Sequence, residues 1–116
     1  MADLPHLDDD VLATLADVME DEYPVLLETF LIDSEERIRM LLDAAGDLEA
    51  LRRAAHSFKG SSSNMGAALL ADMCRQLESA SRQGDAAATA PLIEQIQREY
   101  AVVKILTKAA LQRHRL

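Results

Sequence analysis

The chain has 116 residues, a formal net charge of -8, 49% hydrophobic but only 3% aromatic residues, and one cysteine. This length suits a single domain, residues 1–116, that buries roughly two thirds of its unfolded surface. The charge speaks against nucleic acid and against anionic membranes as partners. The lone Cys74 has no partner for an internal disulfide, which fits reducing, cytoplasmic surroundings.

No apolar run approaches the roughly 20 residues of a spanning helix. The opening MADLPHLDDD lacks the basic and apolar regions of a secretory signal. With two Phe, two Tyr and no Trp, the core must be Leu, Ala, Ile, Val and Met, a composition that favours helices over sheets.

A short first helix is expected over about 8–19, with Leu12, Leu15, Ala16 and Met19 on one stripe. Asp8, Asp9 and Asp10 at its start suit the helix dipole better than a metal ion. Pro24 suits the first turn of a second helix. Its inner stripe is Leu27, Phe30, Leu31, Ser34, Ile38, Leu41, Leu42 and Ala45, and Gly46 closes it. Asp47 caps a third helix, with Leu48, Leu51, Ala55, Phe58 and Ser62 inward, that stops between Ser63 and Gly66. A fourth carries Leu69, Leu70, Met73, Leu77 and Ala80 and ends at Gly84. A fifth starts between Asp85 and Pro91 and carries Leu92, Ile93, Ile96, Tyr100, Val103 and Leu111. Pro91 leaves that start open, because proline belongs to a first turn. Four long amphipathic segments with short connections predict an all-α, antiparallel up-down-up-down four-helix bundle over about 22–112, with the short helix capping one end.

Residues 54–66 read AAHSFKGSSSNMG. Glycine inside a helix costs roughly 1 kcal/mol relative to alanine, so Gly60 asks for a reason. At 100° per residue, His56 lies roughly 120° from the centre of the inner stripe, toward solvent. Arg52, Arg53, Lys59, Gly60 and Ser63 share its face. The ring is therefore surrounded by cations, and the position one turn on has no side chain, which keeps the space above the imidazole open to a large partner. In the antiparallel hairpin of the third and fourth helices, His56 falls opposite Arg75 to Glu78. A Glu78 carboxylate accepting the Nδ1 hydrogen would leave Nε2 as a free nucleophile; alternatively, Glu78 is a solvated surface acid. The cations would stabilise an anionic group on Nε2, and a phosphoryl group is the natural candidate. No phosphate-binding glycine loop for ATP is present, so that group would come from another protein.

These residues resemble the histidine-containing phosphotransfer (Hpt) domain of bacterial multistep phosphorelays. The family pattern is a histidine, a Lys-Gly pair three and four places on, two small residues and a second glycine, followed by a helix with a Cys-x-x-Leu-Glu-like stretch. His56, Lys59, Gly60, Ser61, Ser62, Gly66, Cys74, Leu77 and Glu78 match it, and the resemblance covers about residues 8–112. It implies that His56 is the phosphoacceptor and that Lys59 lies beside the phosphoryl group. Glu78 stands where many members have glutamine, which adds a charge.

The resemblance further implies a monomeric carrier, not an enzyme, with no cofactor and no metal of its own. It would accept from receiver domains of hybrid sensor kinases and donate to a response-regulator receiver, whose acidic pocket would hold Mg²⁺. Arg52, Arg53, Gly60 and Ser63 would form the docking surface. Two other readings stay open: a non-catalytic helical adaptor, and the phosphoacceptor module of a chemotaxis-type kinase. His6 and His114 read as ordinary terminal residues. Asp72–Arg75 and Glu78–Arg82 read as surface ion pairs.

Overall fold

The computed structural model of the chain describes residues 3–115. The acidic start of the first helix, α1 (Asp9–Met19), is a cap: the Asp8 carboxylate accepts from the amides of Asp10 and Val11. A 3-10 turn at Glu20–Glu22 feeds α2 (Tyr23–Asp43), with Pro24 in its first turn, where a missing N–H costs nothing. Asp47 caps α3 (Leu48–Asn64) by accepting from the Ala50 amide at 3.1 Å. Then follow α4 (Ala68–Arg82) and α5 (Ala86–Arg115). Among the described residues there is no strand.

Helix α3 packs against α4 and α2, and α5 closes the ring against α4 and α2, so the four long helices form the antiparallel bundle that the spacing predicts. Leu27, Leu41, Leu51, Phe58, Leu70, Leu77, Ile96 and Val103 are fully or almost fully removed from solvent. Each such side chain is worth about 1.5–3 kcal/mol of burial, enough to offset the glycine two residues after Phe58. Between α2 and α5, the single hydrogen of the Tyr100 hydroxyl faces Glu35 at 3.0 Å and the Leu31 carbonyl at 3.2 Å.

Helix α1 covers the end of the bundle where α3 turns into α4. The Asp8 amide donates to the Gly66 carbonyl at 2.9 Å, and the Leu69 amide to the Pro5 carbonyl at 3.1 Å. Gly66 turns the chain at φ +80, and a Cβ there would sit 2.9 Å from the Val11 Cβ. Two requirements meet at this glycine: a left-handed backbone and the close approach of α1.

Two details depart from expectation, one in α2 and one in α4, while the start of α5 falls inside the range expected between Asp85 and Pro91. Leu42 and Ala45 are exposed rather than inward: Leu41 takes the core position and carries Leu42 100° round, while Ala45 lies beyond the end of α2 at Asp43. Pro91 lies inside α5, which begins at Ala86. Its ring faces solvent, and the missing N–H costs only the bond to the Ala87 carbonyl one turn back. The buried face of α4 centres on Leu70, Cys74, Leu77 and Ser81, while Leu69 and Met73 are half-buried. The helix is thus rotated relative to its most hydrophobic stripe, and that rotation carries Glu78 inward.

Candidate functional site

Helix α3 is oriented by Leu51, Ala55, Phe58 and Ser62, all fully buried. That leaves the His56 side chain 64% exposed on the outer edge of the α3–α4 seam. Across the seam, Glu78 is 4% exposed and its carboxylate receives three donors. His56 Nδ1 lies 2.8 Å from Oε2, Lys59 donates to Oε1 at 2.7 Å, and Arg82 Nη2 donates to Oε2 at 3.1 Å. With a carboxylate as its neighbour, Nδ1 carries the hydrogen of the neutral ring and Nε2 keeps its lone pair, pointing outward.

A carboxylate is withdrawn from water at a cost that only close partners and hydrogen bonds recover. Here the Lys59 hydrogen bond is the main reason the Glu78 acid lies below its usual range; burial opposes the shift and His56 adds to it. Glu78 is therefore an anion at neutral pH. It is neither a solvated surface acid nor half of a surface pair with Arg82, since one end of that pair is buried. The Asp72–Arg75 pair does lie on the surface, at 2.8 Å.

The other residues singled out in the sequence divide into two groups. Lys59 joins His56 through Glu78, rather than standing free over the ring. Gly60 is exposed, and a Cβ there would meet nothing within 4 Å, so the space beside His56 is open. Arg52 and Arg53 instead close on Glu49, one turn back on their own helix. Ser63 is exposed near the end of α3. Arg37 of α2 reaches the residue after the histidine, with Nε donating to Ser57 Oγ at 3.0 Å. No motif pointed to Arg37, and only the packing of α2 on α3 brings it there.

His6 also differs from its reading as an ordinary terminal residue. Its Nδ1 is 2.7 Å from Oε2 of Glu99, a carboxylate only 5% exposed. Among the described residues, Glu99 has no lysine or arginine partner, so this second His–carboxylate pair lacks the cations found at Glu78. His114 packs edge-on against Tyr23, with ring centroids 5.0 Å apart. Cys74 is fully buried, and that burial pushes its thiol up to about 12.

A family profile described as Hpt domain matches residues 25–105. The fold is similar to the crystal structure of histidine-containing phosphotransfer protein B (HptB) from Pseudomonas aeruginosa PAO1. The two share 60% sequence identity and a TM-score of 0.92 over 96% of this chain and 98% of that one. No curated protein matches the chain significantly.

Proposed function

The chain belongs to the histidine-containing phosphotransfer (Hpt) domain family, the phosphocarriers of phosphorelays, and from that premise we propose that His56 is its phosphoacceptor. It takes the group from the receiver-domain aspartate of a hybrid sensor kinase and passes it to a response-regulator receiver. The observation that carries this reading is the 2.8 Å contact between Nδ1 and the buried Glu78, on a ring whose other edge faces solvent.

In the forward step, the Nε2 lone pair forms the N–P bond. The P–O bond to the receiver's aspartate breaks, and its electrons leave with the carboxylate. Nδ1 keeps its proton, and the positive charge that builds on the ring faces Glu78. The reverse step regenerates neutral His56, so the protein is a carrier without turnover of its own. Lys59 stabilises the phosphoryl charge, since such transfer is mostly positioning and electrostatics. Gly60 leaves room for the receiver to bring its aspartate into line. Arg52, Arg53 and Ser63 border that approach. One chain supplies the whole site from α3 and α4, and the carrier acts as a monomer.

The test is incubation with phosphorylated receiver domains. The wild type should acquire an acid-labile, base-stable label. His56→Gln, an exposed change expected to alter stability by no more than about 0.5 kcal/mol, should keep the helical circular dichroism spectrum and acquire none. Label on the variant would remove His56 from the proposal.

A further inference from the structure

Glu78 divides its two oxygens unequally. Oε1 takes Lys59 alone, whereas Oε2 takes both His56 Nδ1 and Arg82. Lys59 and His56 come from α3. Arg82 comes from α4, four residues after Glu78, where neighbours share a helix face. The two cations therefore stand in different relations to the ring. Lys59 follows His56 by three residues on the same face, and its side chain is 33% exposed. Arg82 binds the oxygen already held by Nδ1, on the edge of the ring away from the Nε2 lone pair.

A phosphoryl group on Nε2 brings about two negative charges to the face that Lys59 shares. Lys59 is already held by Oε1 at 2.7 Å, so a turn toward the phosphoryl group weakens that contact. A buried carboxylate stripped of its only cation is strongly disfavoured. Lys59 is free to turn only if another cation stays on Glu78. We propose that Arg82 is a positioning residue: it keeps the Glu78 carboxylate compensated and aimed at His56 while Lys59 moves to the phosphoryl group. This inference rests on His56 being the phosphoacceptor, and it is particular to glutamate. A neutral amide at position 78 would need no cation to hold it.

That dependence supplies the test. Single-turnover acceptance is measured from a receiver domain charged with acetyl phosphate, for wild type, Arg82→Ala, Arg82→Lys, Glu78→Gln and the Glu78→Gln/Arg82→Ala double variant, with circular dichroism as the folding control. Label on the wild type and none on His56→Gln establishes the premise separately. Arg82→Ala should then slow acceptance on the order of tenfold, the size of one charged contact. Arg82→Lys should recover much of the loss, because the charge remains. In the Glu78→Gln background, Arg82→Ala should change the rate by less than about twofold. An unchanged rate in Arg82→Ala overturns the proposal, as does the absence of any recovery with lysine. An equal loss in the wild-type and Glu78→Gln backgrounds also overturns it, since Arg82 would then act on the phosphoryl group or the receiver directly.

Discussion

Alanine at the two glycines of the AAHSFKGSSSNMG stretch should shift stability in opposite directions. Gly60 lies within α3, has no positive φ, and a Cβ there meets nothing within 4 Å. Gly60→Ala should therefore gain about 0.5–1 kcal/mol, the usual helix advantage of alanine. Gly66 has φ +80, which costs a residue with a Cβ about 1–2 kcal/mol. The new Cβ would also lie 2.9 Å from the Val11 Cβ and 3.2 Å from the Asp8 Cβ. These carbons are fixed to the backbone of α1 and its cap, so α1 must move. Movement weakens the 2.9 Å bond from the Asp8 amide to the Gly66 carbonyl, worth about 0.5–1.5 kcal/mol. Gly66→Ala should lose about 1.5–3.5 kcal/mol in all, lowering the Tm by roughly 5–15 °C. Urea denaturation followed by circular dichroism reads both variants. The reasoning fails if Gly66→Ala stays within about 0.5 kcal/mol of wild type, or if Gly60→Ala is the less stable of the two.

Lys59→Ala should keep the fold and slow acceptance about tenfold, close to 1.4 kcal/mol in the barrier; rates equal to wild type at both low and physiological salt would leave it a structural partner of Glu78 alone. The Glu78 acid is lowered in the folded state, so its stabilisation is present above its unfolded value of about 4.3 and disappears as pH falls through the lower folded value. The stability difference between wild type and Glu78→Gln should accordingly shrink as pH is lowered below about 4.3 in urea titrations, and a constant difference would contradict the shift. Cys74, buried and with its thiol raised to about 12, should resist iodoacetamide at pH 8 until urea unfolds the bundle; mass spectrometry of the native protein would expose any early alkylation.

Much of the site was legible in the sequence because it lies on one helix. The exposure of His56, the open space at Gly60 and the nearness of Lys59 all follow from 100° steps along α3, once Leu51, Ala55 and Phe58 are taken as inward. The cap at Asp47 was equally local, since a short acidic side chain reaches only amides two or three residues ahead; Asp8, read as one of three first-turn acids, proves to cap α1 in the same way. Hydropathy misled where it was asked to decide rotation. In α4 it favoured Leu69 and Met73, which are only half-buried, while the folded helix buries Glu78 and Ser81.

The sequence by itself determined which segments are helical, where α3 is capped, and which side of α3 carries the histidine, because those properties depend on neighbours within a turn. The tertiary structure decided the rest of the site. Whether Glu78 is a surface acid or the buried centre of a His–Lys–Arg cluster turns on how α4 is rotated against α3, and α4 has plausible apolar residues on either side of the true seam. The pairing of His6 with Glu99, across 93 residues, likewise had no local signal. The approach of α3 and α4 is set by the packing of the whole core, and only that approach brings the Glu78 carboxylate within hydrogen-bonding distance of the His56 imidazole.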